Sequence, residues 1–341
     1  MKKPAIIYSR APARFDFSGG PTDVEPFSSK EGGIVVNVAI GLYAQVRLEP
    51  RKDQKISICS YDLGVKKEYR SINELSIDGP LKLIQATILY VKPDHGFSIE
   101  AKCDAPPGSG LGSSAAVAVA LIAALRAFNG YQVPDTELIV NGSLEVENKL
   151  LENINGGQDQ YASSFGGFNY LEWKNGKVKR VPINVSRRSV LTLEERAVLC
   201  YSGSTRVSGD VLTRVMSRYV SGDIKVIESL RAIRQTAGDA RRTLLNGDIS
   251  ALGILLSKNY IAQSKLYKQI NTADINKIFR LGKRNGIIGG KIAGAGGGGC
   301  VLLICEPFFS QRLKKELITN KFLVLPFTCE KNGVEVWFEK D

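Results

Sequence analysis

Residues 104–125, DAPPGSGLGSSAAVAVALIAAL, combine a glycine-rich turn with an alanine-rich run. The alternating segment Phe97–Cys103 predicts a strand entering the turn, and the apolar spacing of Ser113–Phe128 predicts a helix leaving it. A strand, a glycine loop and a helix N-terminus bring several backbone N–H groups to one point, which is a geometry that binds anions. Because the loop lacks the lysine of the familiar phosphate-binding loop, another group must supply the positive charge.

The loop offers both backbone and hydroxyl groups to an anion. Its glycines let the backbone approach phosphate without an intervening Cβ, and its serines can cap the helix or coordinate Mg²⁺. A plain glycine turn with a serine N-cap fits the same string when it is taken alone. The candidate residues are Pro107, Gly108, Ser109, Gly110, Leu111, Gly112, Ser113 and Ser114.

Composition indicates a soluble protein of two domains. The chain has 341 residues, which is long for one core, and 43% of them are hydrophobic and 23% charged. No apolar run reaches the roughly 18 residues of a membrane span, and the start of the chain has no signal-peptide pattern, so we expect a cytoplasmic protein. Six scattered cysteines without a C-x-x-C pair favour reduced thiols, and the single histidine, His95, argues against a histidine-built site.

The net charge of +12 is compatible with nucleic acid, acidic lipid or small anions as partners. The basic residues alternate with acidic ones, and no nucleic-acid-binding motif accompanies them. Arginines recur between residues 206 and 242, in segments predicted as helices. This distribution favours a solvated helical face or a pocket for phosphorylated ligands over a nucleic-acid groove.

The periodicity changes along the chain from mainly β to mainly helical. Residues 34–48 and 56–61 show the β-branched, alternating patterns of strands, whereas residues 207–284 are amphipathic with helical spacing. Two more strands are predicted near the end, so the fold class is α+β. A composition shift near residue 185 places the domains at 1–187 and 188–341.

Two further motifs carry charged groups. In SRAPARFDFSGGPTD, residues 9–23, an alternating strand puts Arg14 and Asp16 on one face, which is either wet or lines a polar pocket. Asp23 follows the glycine turn, and taken alone it fits a turn residue. In GGQDQYASSFGG, Asp159 follows paired glycines and alone fits an N-cap. The glycines of GAGGGG, residues 294–299, indicate a close backbone approach.

In this order and spacing, APARFDFSGGPTD, PPGSGLGSSAA and KIAGAGGGGCVLL resemble the motifs of the GHMP kinases, the superfamily of galactokinase, homoserine kinase, mevalonate kinase and phosphomevalonate kinase. The resemblance covers nearly the whole chain and is greatest to the branch of sugar kinases like D-glycero-D-manno-heptose 7-phosphate kinase. It implies two domains: an amino-terminal α+β domain with a left-handed β-α-β unit, and a carboxy-terminal ferredoxin-like domain.

The resemblance also implies roles for single residues. The loop would bind the phosphates of ATP through backbone N–H groups, and Ser114 and Glu147 would hold Mg²⁺. Asp159 would be the catalytic base with Arg14 beside it, although some members rely on positioning alone. Asp23 would bind sugar hydroxyls. The other acceptor-binding candidates are Gly20, Gly157 and Arg206.

The sequence does not identify the acceptor substrate. Galactokinases carry an acidic residue and a histidine where this chain has Gly20 and Pro21, which argues against galactose and leaves room for a bulkier or phosphorylated acceptor. Arg206 fits either a phosphorylated sugar or a plain surface position. We therefore predict an ATP- and Mg²⁺-dependent kinase for a sugar or sugar phosphate, acting as a monomer or homodimer without nucleic acid or membrane. The alternatives are a mevalonate or mevalonate-phosphate kinase, a catalytically silent sugar sensor and, on charge alone, a nucleic-acid-binding protein.

Overall fold

The computed structural model describes residues 5–131, 135–203 and 208–339. Its strands are β1 (Ile7–Ser18), β2 (Gly33–Pro50), β3 (Ile56–Ser60), β4 (Val65–Tyr69), β5 (Phe97–Cys103), β6 (Phe168–Lys174), β7 (Lys177–Pro182), β8 (Ala197–Tyr201), β9 (Ile287–Ile292), β10 (Cys300–Cys305), β11 (Leu323–Leu325) and β12 (Glu335–Phe338).

The helices alternate with the strands in the first half and cluster in the second. They are α1 (Phe27–Glu31), α2 (Lys82–Val91), α3 (Ser113–Phe128), α4 (Thr136–Glu145), α5 (Gln158–Phe165), α6 (Arg187–Arg196), α7 (Ser208–Val220), α8 (Ile224–Asn246), α9 (Ile249–Leu266), α10 (Ala273–Arg284) and α11 (Ser310–Thr319). A π-helical turn, Val146–Leu150, directly follows α4, and short 3₁₀ turns lie at Ile72–Glu74, Gly79–Leu81 and Lys268–Ile270. No helix in these described ranges is long and apolar enough to cross a bilayer.

The first sheet is organised around the long strand β2. Its strand order is β12-β1-β2-β5-β3-β4, and β6 and β7 continue from the first part of β2. Residues 33–38 of β2 pair with β6 and residues 44–50 with β5, while β1 pairs along the other edge. Strands β3 and β5 are parallel, and α2 lies in the connection between them. The left-handedness of that connection stays a prediction.

The second sheet confirms the ferredoxin-like topology. Its order is β11-β8-β10-β9, and every pair in it is antiparallel. Along the chain, β8 is followed by a helical region, β9 and β10, then α11 and β11, which is the β-α-β-β-α-β sequence of that fold. The helical region holds α7 to α10, which lie within the predicted helical range of residues 207–284.

Helix α3 is the element that positions the glycine loop. Its alanine-rich sequence lets it pack closely against β1 and β2, and Ser9 Oγ donates a hydrogen bond to the carbonyl of Ala120 at 2.7 Å. Residues on all sides of the helix are buried, including Val119 and Leu121. A helix that is apolar all round belongs in the core of a protein. The N-terminus of α3 is therefore held rigidly below the loop.

The two halves of the chain share part of their structure. Strand β12 pairs with β1, so the last strand completes the first sheet. One apolar cluster joins Phe15 and Phe17 of β1 to Leu302 and Ile304 of β10. The predicted boundary between residues 187 and 188 falls at the start of α6. As a division into domains it stays a prediction.

Candidate active site

One cavity of about 300 Å³ is lined by residues of the glycine loop and of the motifs SRAPARFDFSGGPTD and GGQDQYASSFGG. At this cavity, β1 and the loop after β5 approach the N-terminal ends of α3 and α5. The predicted residues that line it are Arg14, Gly20, Asp23, Gly108, Gly110, Gly112, Ser113, Ser114, Glu147, Gly157 and Asp159. The side chains of Ser109 and Leu111 are instead buried, so they anchor the loop. Arg206 lies outside the described residues.

The loop is held in shape by the glycine-rich segment 293–300. Gly110 has a φ of +75°, and a Cβ on it would lie 2.7 Å from the carbonyl oxygen of Ala293. The backbone N–H of Cys300 donates to the carbonyl of Ser109 at 2.7 Å. The close backbone approach that the glycines predicted is therefore confirmed on the side facing the loop.

The start of α3 is open to an anion. Its N-cap residue is Gly112, with a φ of +72°, and no side chain accepts a hydrogen bond from the first turn. The serine N-cap considered for this loop is therefore wrong, because Ser113 and Ser114 already belong to the first helical turn. The free N–H groups and the positive end of the helix dipole fit a phosphate.

Arg14 joins the loop to the predicted base. Its Nε donates to Asp159 Oδ1 at 2.7 Å, and its Nη2 lies 2.6 Å from the same oxygen. Its Nη1 also donates to the carbonyl of Gly110. Only 4% of Arg14 is exposed, whereas the Asp159 side chain remains 28% exposed. The positive charge missing from the loop sequence is therefore present beside it, and the carboxylate is open to the cavity.

Glu147 and Ser114 form the predicted cation site. Glu147 Oε1 accepts a hydrogen bond from Gln160 Nε2 at 3.0 Å, and Ser114 is also hydrogen-bonded to the Glu147 side chain. Burial, reinforced by the nearby charge of Asp159, raises the pKa of Glu147 to about 8. A buried carboxylate of this kind favours a bound cation.

The donor set fits magnesium better than a metal that needs several protein ligands. In the described part of the chain, no group of three or more His, Cys, Asp and Glu side chains could hold a metal ion. Mg²⁺ commonly uses one or two carboxylates and completes its shell with water and substrate phosphate oxygens. Glu147 supplies one carboxylate and Ser114 one hydroxyl, and both residues line the cavity. This donor set matches the usual coordination of Mg²⁺.

Asp23 is buried in the wall of the cavity opposite the loop. Its Oδ2 accepts a hydrogen bond from the backbone N–H of Gln158 at 3.3 Å. Burial, followed by the charge of Asp159, raises the pKa of Asp23 to about 7. A Cβ on Gly156 would lie 2.1 Å from Asp23 Cγ, so the paired glycines make room for this carboxyl.

Replacing Asp23 by asparagine is expected to stabilise the fold at pH 8. Because the folded state raises the pKa of Asp23 from 3.8 to about 7, ionisation there costs stability as the pH rises through that interval. Asparagine has no such cost, so its melting temperature should exceed that of the wild type by about 3 °C or more at pH 8, and by less at pH 5. Thermal melts at both values measure this, and a difference independent of pH would contradict it.

Sequence reasoning missed a buried ion pair beneath the site. Lys291 Nζ donates to Asp16 Oδ2 at 2.8 Å, and both side chains are 1% exposed. Of the two alternatives for the polar face of β1, Arg14 lines the polar cavity, whereas Asp16 is buried and paired beneath it. A Cβ on Gly20 would lie 2.2 Å from Asp16 Oδ2, so a side chain at position 20 would collide with the carboxylate. The only signal was a lysine inside the apolar strand β9.

A second cavity, of about 220 Å³, adjoins the first on the other side of the loop. The two share Gly108, Ser113 and Ser114. The second is lined mainly by apolar side chains, and Asp62 adds a carboxylate. Pro107, predicted to bind the cofactor, lies here. A mostly apolar slot next to an anion site has the character expected of a nucleoside pocket.

Comparison with known proteins gives concordant matches over both halves of the chain. The descriptions "GHMP kinases N terminal domain" and "GHMP kinases C terminal" match residues 81–167 and 240–320. The chain is 31% identical to the D-glycero-alpha-D-manno-heptose 7-phosphate kinase of Campylobacter jejuni, over 97% of this chain and 98% of that protein. It is 26% identical to the mevalonate kinase of Pyrococcus furiosus, over 79% of this chain and 82% of that one.

The solved structures agree. A D-glycero-D-manno-heptose 1-phosphate kinase from Bacteroides thetaiotaomicron matches with a TM-score of 0.82 at 29% identity, covering 98% of this chain and 100% of that one. A mevalonate kinase with 21% identity and a TM-score of 0.76, covering 95% of this chain and 99% of that one, shares the fold.

Proposed function

This chain belongs to the GHMP kinases, and we propose that it transfers the γ-phosphoryl group of ATP to a hydroxyl group of a heptose phosphate, with Mg²⁺ as cofactor. That it is a sugar-phosphate kinase follows from its relatives at 31% and 29% identity over nearly the full chain. The mevalonate kinase of Pyrococcus furiosus is less similar to it. A kinase that consumes ATP in metabolism belongs in the cytoplasm, where we place it.

The observation that carries the proposal is the contact between the phosphate loop and the predicted base. A Cβ on Gly112 would lie 3.2 Å from Asp159 Oδ2 and 3.3 Å from Arg14 Cγ. The carboxylate therefore adjoins the helix end at which phosphate would bind, with no side chain between them. Phosphoryl transfer depends chiefly on such positioning and on electrostatic stabilisation.

The proposed reaction uses groups already in place. Asp159 accepts the proton of the acceptor hydroxyl as its oxygen forms a bond to the γ-phosphorus, and the bond from that phosphorus to ADP breaks. Arg14 and the free N–H groups of α3 stabilise negative charge on the transferring group. Asp23 orients the acceptor by accepting hydrogen bonds from the acceptor's hydroxyl groups. Mg²⁺, when bound by Ser114 and Glu147, would neutralise charge on the phosphate oxygens.

An acceptor panel tests the proposal. ADP release should be measured with D-glycero-D-manno-heptose 7-phosphate, the corresponding 1-phosphate, galactose and mevalonate. We expect kcat/KM for one heptose phosphate to exceed that for mevalonate by at least about 100-fold, because a site built for several hydroxyls rejects a ligand that lacks them. Faster turnover of mevalonate would contradict the proposal, and saturable binding without turnover would favour a sensor.

A further inference from the structure

Three polar side-chain atoms in the wall of the cavity are buried without any hydrogen-bond partner. They are the Oδ1 and Nδ2 atoms of Asn155 and the Oε1 atom of Gln158. Buried amide groups in proteins are nearly always hydrogen-bonded, so unpartnered ones in a cavity call for a ligand. Gln158 is 8% exposed and thus almost fully enclosed.

The backbone N–H and carbonyl of Gln158 both have hydrogen-bond partners, whereas the Oε1 atom of its side chain has none. Its N–H donates to Asp23, and its carbonyl accepts a hydrogen bond from Asn37 Nδ2 at 3.1 Å. These bonds anchor the backbone of Gln158 to Asp23 and Asn37. Its side-chain amide lines the same cavity as Asp23 and Asp159, the two carboxylates assigned to the acceptor.

The glycine at position 20 leaves open space next to the side-chain amide of Gln158. A Cβ on Gly20 would lie 3.6 Å from Gln158 Nε2, in addition to its collision with Asp16. A side chain at position 20 would therefore meet the Asp16 carboxylate, which Lys291 holds in place, and the Gln158 amide borders the space that Gly20 leaves open.

The chemistry of this wall suits hydroxyl groups. An amide both donates and accepts, as a hydroxyl does, and the Asp23 carboxylate accepts. Among the described residues that line the cavity, Arg14 is the only lysine or arginine, and it is bonded to Asp159 and Gly110. The described part of the cavity wall thus suits the hydroxyl-bearing carbons of the acceptor rather than its phosphate group.

We propose that Asn155 and Gln158 determine acceptor specificity by hydrogen-bonding hydroxyls of the sugar that do not react. This inference rests on the proposed kinase function, since it names the groups that select the acceptor of that reaction. The two residues position and select the acceptor, whereas Asp159 reacts with it.

Variants Gln158→Leu and Asn155→Leu test the assignment, with the exposed Gln311→Leu in α11 as a matched control. Kinetics use the heptose phosphate that the wild type turns over, and deoxy analogues that each lack one non-reacting hydroxyl. We expect each site variant to raise the acceptor KM at least tenfold and to change the KM for ATP less than twofold, because a site that hydrogen-bonds hydroxyls loses acceptor binding when its amide is removed. One deoxy analogue should lack the hydroxyl that the amide binds. For that analogue the acceptor KM of the wild type should already be raised, and the variant should raise it little further.

The outcomes separate the inference from the function on which it rests. Wild-type turnover of a heptose phosphate with unchanged acceptor KM in both variants overturns the inference and keeps the kinase. Independent, additive losses for every deoxy analogue also overturn it, because they would mean that the amides bind only water or neighbouring backbone. Failure of the wild type with all heptose phosphates overturns both. Melting temperatures at or above that of the wild type would show that the kinetic losses do not come from misfolding.

Discussion

The Asp159→Asn variant is expected to lose about 10² to 10⁴-fold in kcat, the range that a positioned general base contributes. Asparagine keeps the shape of the side chain but cannot accept the hydroxyl proton. It also leaves the nearly buried guanidinium of Arg14 without its anionic partner. Steady-state kinetics with a heptose phosphate measure the loss, and the KM for ATP should change little because the loop contacts remain.

A matched control is the pair of Arg218 and Asp223, which lies outside the cavity. Arg218 Nη2 lies 2.7 Å from Asp223 Oδ2, so Asp223→Asn removes a comparable ion pair and leaves the active site intact. We expect this variant to retain wild-type kcat. Should Asp159→Asn keep more than about a tenth of the wild-type kcat, positioning alone would account for catalysis and the base role would be wrong.

The Glu147→Gln variant is expected to lower kcat/KM by at least about 100-fold, because the metal supplies several kcal/mol of charge stabilisation during phosphoryl transfer. The neutral amide removes the only carboxylate of the proposed Mg²⁺ site, leaving the Ser114 hydroxyl. The loss should shrink as Mg²⁺ is raised. A second readout is the stabilisation by Mg²⁺ and a non-hydrolysable ATP analogue, which should be smaller in the variant than in the wild type.

Glu145 provides the control for this experiment. It is two residues away, its side chain is 42% exposed, and it is paired with Lys149 at 2.7 Å. Glu145→Gln should keep both the kinetics and the Mg²⁺ dependence of the wild type. If Glu147→Gln behaved in the same way, Glu147 would not be the metal ligand.

The choice between these two glutamates came from the family resemblance, because helical spacing alone does not make it. Helical spacing separates Glu145 from Glu147 but does not say which of them points inward. In the structure, α4 ends at Glu145 and Glu147 lies in the π-helical turn that follows. Such turns are rare and occur often at functional sites, and no local residue pattern announces them. Packing around α4 therefore decided which carboxylate faces the loop.

The sequence by itself determined the glycine loop before α3, the α+β class and the order of the motifs. Strand, glycines and helix are adjacent in the chain, so local conformational preference is enough to place the glycine loop directly before the N-terminus of α3. The hairpin between β6 and β7 and the four helices α7 to α10 were predictable for the same reason, because their turn residues are local signals.

Only the tertiary structure decided which distant groups meet. Lys291 pairs with Asp16 across 275 residues, and this pair, together with the collision it imposes at Gly20, follows from packing the second sheet against β1. The fold also leaves both amide atoms of Asn155 and the Oε1 atom of Gln158 buried without partners in the cavity wall. Periodicity reports which face of an element is apolar, whereas the cost of burying a charge or an amide depends on which partner the rest of the fold supplies.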